Sequence, residues 1–382
     1  VALAVSGGSD SVAMLRLARD WALTHHPGLQ VSVLTVDHAL RDGSAEEARQ
    51  VAEWAAALGF AHHMLRWDHG ERPVAGIQAK ARVARYDLMT DWCRERGAGV
   101  LLTAHTLDDQ AETVMMRLAR TASPESLAGI WAEAIWKDVP VLRPLLGSRR
   151  EALRDYLRGL GQAWIEDPSN LDTRFERVRV RKDLAGRPDG TPLSERLAAL
   201  AEASARTVRE QSSAAEAWLA QWLTENGAGV CEFPLPPFQA LSEPLQMRIL
   251  ARIIDHYGGG QAAPEPEELR RLARWAAEGG GAQRRTLGGA VAGRRRGAIW
   301  VTREAGRIPA SPALVPDCGK LLWDKRFLVE ARPGSVIEAA LGRPLSLPGR
   351  VPVHARRAYP VVSQPPGVAA EARIVFQPLL GP

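Results

Sequence analysis

The sequence predicts an α/β protein: a doubly wound parallel sheet, followed by a helical domain and a small β-rich C-terminal part. Three observations predict it. Residues 1–5, VALAV, are an apolar run that stops in Ser6-Gly7-Gly8-Ser9-Asp10-Ser11 and passes directly into an apolar helical pattern. Buried-strand and helical patterns then alternate to about residue 190, as parallel strands joined by crossover helices require. After the Gly- and Pro-rich stretch 185–192, read as a linker, the pattern becomes helical and later turns to short strands. Domains are expected at 1–188, 191–305 and 306–382.

The chain has 382 residues, enough for two or three domains with cores of their own. Its 46% hydrophobic and 24% charged residues are those of a globular protein. No apolar run approaches the length of a membrane span, so no membrane association is expected. A net charge of +5 and a pI of about 9.4 permit a nucleic-acid partner without requiring one. Cys93, Cys231 and Cys318 are far apart and form no CxxC pair, which argues against a disulfide framework or a zinc knuckle and fits a reducing, cytoplasmic setting. The chain starts without Met, inside its first strand, so whether a native N-terminal segment is missing stays open and the lack of a targeting peptide is weak evidence.

The first element sets the chemistry. Strand, glycine turn and helix bring backbone N–H groups and a helix N-terminus to face one anion. Gly7 and Gly8 remove the Cβ atoms that would keep a phosphate from the backbone, and Ser6, Ser9 and Ser11 add hydroxyl donors. With no Gly-Lys-Ser/Thr, this is not a Walker loop. Asp10 stands where such a loop carries positive charge, which suits a carboxylate helping to hold a cation that bridges phosphates. The hexapeptide resembles the PP-loop, SGGxDS, of the ATP pyrophosphatases. That resemblance implies ATP cleaved between its α and β phosphates, an oxygen activated as its AMP ester, and release of pyrophosphate.

Residues 31–36 read as a second strand, ending in Asp37-His38-Ala39-Leu40-Arg41 at the sheet edge where ligands bind. Ser44-x-x-Glu47 is a capping box that opens a helix to about Leu58, and Gly59 ends it. Residues 61–65 are a third strand, in which adjacent His62 and His63 face opposite ways and read as structural. A helix over 76–94 carries Arg82 and Arg85 on one face. Strand 100–103 leads into Ala104-His105-Thr106-Leu107-Asp108-Asp109-Gln110-Ala111-Glu112-Thr113 and an amphipathic helix to about Arg120. Asp108 or Asp109 can be an N-cap. Alternatively the two carboxylates, with Gln110 and Glu112, suit Mg²⁺ held between protein and phosphates. Arg and Val alternate over 177–181, which suggests an extended segment with one charged face. Arg174, Arg177, Arg179, Arg181 and Lys182 there either form the charged face of a solvated surface strand or, beside an ATP site and an RNA substrate, contact nucleic-acid phosphates.

Several segments together resemble the tRNA(Ile)-lysidine synthetases. TAHTLDDQAET is similar to their TAHxxDDQxET, DHALR to their HGLR loop, and AKARVARY to their AxARxxRY helix. Leu142-Arg143-Pro144-Leu145-Leu146 matches RPLL, and Trp164-Ile165-Glu166-Asp167-Pro168-Ser169-Asn170 matches W-x-x-D-x-S/T-N. The match covers roughly the first half of the chain. Thr106 replaces a frequent His, and Val178 the Asn of an RNRxR segment. The resemblance implies a ligase that uses ATP and Mg²⁺ to join free L-lysine to C2 of the wobble cytidine of isoleucine tRNA with a CAU anticodon. It gives Ser6, Gly7, Gly8, Ser9, Asp10 and Ser11 to ATP, and Asp10 and Asp109 to catalysis. Asp109, with Asp108 second, goes to the metal. Arg82 goes to the reacting nucleotide; Arg143, Arg174, Arg177, Arg179 and Arg181 go to tRNA. Asp37 and Glu112 are the carboxylates that could take the lysine proton. The rivals are a 2-thiocytidine-type thiolase, which this chain's lack of paired cysteines opposes, an amidating synthetase acting on a small metabolite, and a non-catalytic RNA-binding relative. Oligomeric state stays open, a homodimer among the options.

Past the linker, residues 193–225 read as one long helix or two, followed by helices over 245–256 and 266–277. Residues 284–304 turn to strand character around a basic hairpin tip, Arg294-Arg295-Arg296. From Ile308 onward Pro and Gly are frequent and strands short, with no recognisable chemistry.

Overall fold

The computed structural model describes residues 1–37, 44–68, 77–121, 123–166, 172–260, 264–278, 283–347, 351–363 and 372–379. His38 to Arg41 of the DHALR segment and Asp167 to Asn170 of the Trp164 segment lie outside them. The chain divides into two compact units, Val1–Val208 and Arg209–Pro382. No described helix is long and apolar enough to cross a membrane.

The first unit runs β1 (Ala2–Ala4), α1 (Ser9–His25), β2 (Ser32–Asp37), α2 (Ser44–Ala57), β3 (Ala61–Arg66), α3 (Ile77–Arg96), β4 (Leu101–Leu102), α4 (Leu107–Leu118), α5 (Pro124–Leu127), β5 (Glu133–Trp136), β6 (Val139–Leu142), α6 (Arg150–Gly159) and α7 (Glu176–Gly186). The long helix α8 (Gly190–Trp222) follows and contains the division between the units. The sheet order is β3-β2-β1-β4-β6-β5. All neighbours are parallel except β5, which pairs antiparallel with β6. The chain lays β2 and β3 on one side of β1, then crosses to set β4 on the other. Strand order therefore reverses between β1 and β4, and the loops beyond their carboxyl ends flank the crevice where such sheets bind ligands.

Alternation in β1 feeds two cores. Leu3 packs with Val12, Leu15, Val33, Val51, Leu153 and Leu157 on one face. Ala2 packs with Leu34, Tyr86, Met89, Leu101 and Val141 on the other. Each fully buried Leu or Val contributes about 1.5–3 kcal/mol, so the sheet centre is the rigid floor under the crevice. The two histidines of β3 are structural, as expected. His62 Nε2 lies 2.9 Å from Thr35 Oγ1, and the His63 ring sits 4.9 Å from that of Trp92.

Two expectations are corrected here. Residues 177–181 are not extended but lie within α7, and 185–192 is not an open linker but the tight junction of α7 and α8. A Cβ at Gly190 would collide with the Leu184 carbonyl, so only glycine lets the two helices join this closely.

In the second unit β7 (Thr224–Asn226), β8 (Val230–Pro234), α9 (Leu235–Gln239), α10 (Glu243–Tyr257), α11 (Pro266–Glu278), β9 (Arg284–Leu287), β10 (Ala290–Arg295) and β11 (Ala298–Arg303) form helices and a sheet ordered β7-β8-β11-β10-β9. Arg296 and Gly297, both at positive φ, make the expected basic tip of the β10–β11 hairpin. Residues 306–382 contribute two small three-stranded sheets. They do not stand apart at 305/306 as expected. Phe233, Ile253 and Val301 share one apolar core with Trp323, Phe327, Ile337 and Phe376. Buried Arg303 also bonds Asp324 at 3.0 Å.

Candidate active site

The loop after β1 is held by its own hydroxyls. Ser11 Oγ donates to the Gly8 carbonyl at 2.9 Å, accepts the Ser6 N–H at 3.2 Å, and lies 3.4 Å from Ser6 Oγ. Ser6 and Ser11 thus shape the loop, a role the sequence reading did not give them. Gly8 caps α1 without a side-chain bond, and the first turn of a helix leaves N–H groups without helical partners. The two glycines have different causes. Gly7 has φ +90°, and a Cβ there would come within 2.6 Å of Ile165 Cδ1, so glycine serves the fold. A Cβ on Gly8 would meet only Ser6 Oγ, at 3.8 Å, so at this position there is open space.

The loop after β4 delivers the carboxylates. Thr106 caps α4 in a reciprocal box. Its N–H and its hydroxyl donate to Asp109 Oδ2, both at 2.9 Å, and the hydroxyl accepts the Asp109 N–H at 3.4 Å. Thr106 is therefore the cap that orients Asp109. Asp109 Oδ1 remains for the crevice. Asp108 turns elsewhere: its Oδ2 accepts the Arg150 backbone N–H at 2.7 Å and so caps α6. Gln110 also leaves the crevice, bonding the Ile130 carbonyl at 2.9 Å and its N–H at 2.6 Å. Of the DDQ triplet, only Asp109 faces the loop after β1.

The two loops meet on Arg150, which the sequence reading missed. Its Nε lies 2.9 Å from Asp10 Oδ2 and its Nη2 3.0 Å from Asp109 Oδ1; its Nη1 lies 3.5 Å from Glu112 Oε1. Glu112, whose side chain is only 2% exposed, also takes Arg177 Nε at 2.8 Å and Arg181 Nε at 2.7 Å. Arg177 Nη2 donates further to the Asp109 carbonyl and to Thr113 Oγ1. Burial works to raise the Asp109 carboxyl, but Arg150, Arg177 and the Thr106 N–H outweigh it and hold it below the usual carboxylate range. Burial raises Asp10, which Arg150 offsets only in part and the like charge of Asp109 reinforces.

A cationic group surrounds Tyr86 and His105. Arg82 and Arg85 Cζ sit 5.1 and 5.6 Å from the Tyr86 ring centre. Burial, together with nearby Arg143, Arg82 and Arg85, pushes the His105 imidazole down to about 3, so it is neutral near pH 7. Arg143 itself is 8% exposed and donates to the Trp131 carbonyl at 2.6 Å, which suits an interior prop better than a tRNA phosphate contact.

The structure thus brings together Asp10, Asp109 and Glu112, and turns Asp108 away. It also separates the 174–182 cations. Arg177 and Arg181 point inward at Glu112, one helical turn apart. Arg174 and Arg179 are exposed, the first paired with Asp172 at 2.6 Å. Val178, at the family's Asn position, is buried, so a side chain there faces the protein.

The donor set fits Mg²⁺. Carboxylate oxygens are the ligands that ion prefers, and the Arg150 guanidinium already stands between Asp10 and Asp109 as a positive group. Among the described residues no three His, Cys, Asp or Glu side chains form a metal cage. Mg²⁺ is commonly held by one or two carboxylates, with phosphates and water completing its shell.

The PP-loop domain family matches residues 1–187. A tRNA(Ile)-lysidine synthase of Ruegeria pomeroyi is 41% identical over 263 residues, covering 69% of this chain and 62% of that protein, so the chain spans less than two thirds of this relative. One of Mesorhizobium japonicum is 36% identical over 353 residues, covering 89% of this chain and 74% of that protein. A solved U34-tRNA thiolase of Methanococcus maripaludis superposes with a TM-score of 0.47 at 16% identity, covering 55% of this chain and 72% of that one, a likeness too weak to carry an argument.

Proposed function

The chain belongs to the tRNA(Ile)-lysidine synthase family, and on that premise we propose that it joins L-lysine to C2 of the wobble cytidine of isoleucine tRNA with a CAU anticodon, consuming ATP. The observation that carries the reading is the convergence of Asp10 and Asp109 beyond adjacent strands β1 and β4, beside the SGGSDS loop. The C2 oxygen of the cytidine attacks the α phosphorus, and the bond to the bridging oxygen breaks as pyrophosphate leaves. The ε-amine of lysine then attacks C2, and AMP departs with the oxygen. An anticodon loop offers an unpaired base more cheaply than a duplex does.

In this reading the loop 6–11 and the N-terminus of α1 hold the phosphates, and Asp10 and Asp109 hold Mg²⁺. When bound, Mg²⁺ offsets the charge that develops on departing pyrophosphate. Arg82 contacts the reacting nucleotide. Asp37, at the carboxyl end of β2, is the carboxylate that can accept the lysine proton, whereas buried Glu112 is committed to Arg177 and Arg181 and takes no part in that step. A cytoplasmic enzyme fits this substrate. The test is pyrophosphate release from ATP, which should need the CAU isoleucine tRNA; equal release without tRNA contradicts the reading.

Two variants separate the roles of the glycines. Gly7→Ala should destabilise the fold by about 1–3 kcal/mol, because it forces a strained φ. Gly8→Ala should leave stability within about 0.5 kcal/mol yet weaken ATP binding at least about tenfold, because its Cβ takes space proposed for a phosphate. Urea unfolding and ATP titration read the two effects. Unchanged ATP affinity in Gly8→Ala would remove the phosphate from that position.

For tRNA, exposed Arg174 and Arg179 are the proposed phosphate contacts. Replacing each by Ala should reduce the log–log salt slope of binding by roughly 0.7–0.9. An unchanged slope in filter binding would leave these residues as ordinary surface.

A further inference from the structure

Arg150 is the first residue of α6, and Arg149 is its N-cap. Cations at a helix N-terminus oppose the helix dipole. Something must outweigh that cost, and the structure supplies it: Asp108 fixes the Arg150 backbone N–H, while Asp10, Asp109 and Glu112 receive the guanidinium. The side chain is largely buried, so these bonds are poorly screened. A planar guanidinium can serve several carboxylates at once, which a lysine ammonium cannot do in the same geometry.

The oxygens that Arg150 takes, Asp10 Oδ2 and Asp109 Oδ1, are the ones left over once Ser9 bonds Asp10 Oδ1 and Thr106 bonds Asp109 Oδ2. Mg²⁺ would approach carboxylate oxygens to about 2.0–2.1 Å, and a guanidinium bonded to the same atoms cannot stay where it is. Glu112 is already held by Arg177 and Arg181, so it is no new partner for a displaced Arg150. Any phosphate on the loop that carries Asp10 would be such a partner.

We propose that Arg150 and the divalent metal compete for Asp10 and Asp109, and that Arg150, when displaced, transfers to the polyphosphate of the nucleotide. This rests on the proposed ATP and Mg²⁺ site. Arg150 is then a positioning residue with two opposite effects. It weakens binding of metal alone, and it strengthens binding of metal and nucleotide together. The protein thereby favours loading the two as a pair.

The test uses Mn²⁺, detected by its electron paramagnetic resonance signal, and a non-cleavable α,β-methylene ATP analogue with Mg²⁺. Arg150→Gln should bind Mn²⁺ alone at least about tenfold more tightly than the unaltered protein, and the Mg²⁺–analogue complex at least about tenfold more weakly. Arg150→Lys, which keeps the charge but cannot bond both carboxylates at once, should bind Mn²⁺ alone more tightly than the unaltered protein and less tightly than the Gln variant, and serves if the Gln variant does not fold. A purely structural role would weaken both ligands together. Unchanged or weaker Mn²⁺ binding in a folded variant overturns the competition. Analogue binding by the unaltered protein that Asp10→Asn and Asp109→Asn both leave intact overturns the underlying site, and the proposal with it.

Discussion

Asp10→Asn and Asp109→Asn are each expected to slow AMP–tRNA formation at least about a hundredfold, roughly 2.7 kcal/mol of barrier. The amide keeps the shape of the carboxylate and loses its charge. At Asp109 it can still accept the Thr106 N–H, so the α4 cap survives and the change is confined to the crevice. If the two carboxylates anchor Mg²⁺ while pyrophosphate gains charge, the loss falls more on the transition state than on bound substrates. Binding of tRNA should change little. Single-turnover adenylation without lysine, beside a filter-binding curve, reads both. Normal adenylation in both variants would remove these residues from the chemistry, and lost tRNA binding in a folded variant would make them structural.

Glu112→Gln is expected to lower stability by about 2–4 kcal/mol. The carboxylate is buried and bonded to Arg177 and Arg181, with Arg150 at 3.5 Å. Removing its charge leaves the crowded guanidinium groups of Arg177 and Arg181 with only the more distant Asp109 as counter-charge, and breaking a buried pair typically costs about 3–5 kcal/mol. Arg177 and Arg181 are about a third exposed, so water screens part of this and the expectation is lower. Urea unfolding measures it. Adding Arg181→Met to Glu112→Gln should recover part of the loss, because the second change removes one of the crowded cations. A loss below about 0.5 kcal/mol would show that the cluster does not hold the crevice together.

The doubly wound sheet was legible because β1, β2 and β4 are short apolar runs separated by helical patterns. Given that sheet, the meeting of Asp10 and Asp109 follows, since parallel strands place their carboxyl ends on one edge. Asp108 was harder. Successive helical residues point about 100° apart, so adjacent carboxylates at the start of α4 do not face one ion, and Asp108 serves α6 instead. Arg150 left a signal that went unread: two arginines opening a helix need acidic partners. The Arg–Val alternation at 177–181 fits a period of two, yet Arg177 and Arg181 also stand one helical turn apart. Five residues do not decide between those periods, and contact with Glu112 does. The shared core across 305/306 depends on contacts between residues far apart in sequence, such as Val301 with the later aromatic residues, which no local pattern reports.

The most direct measurement is incorporation of radiolabelled lysine into the CAU isoleucine tRNA in the presence of ATP and Mg²⁺. The account predicts incorporation that requires both, is absent when the wobble cytidine is replaced, and is lost in Asp10→Asn. Equal incorporation into a tRNA with another wobble base, or sulfur transfer to that tRNA in place of lysine, would contradict it.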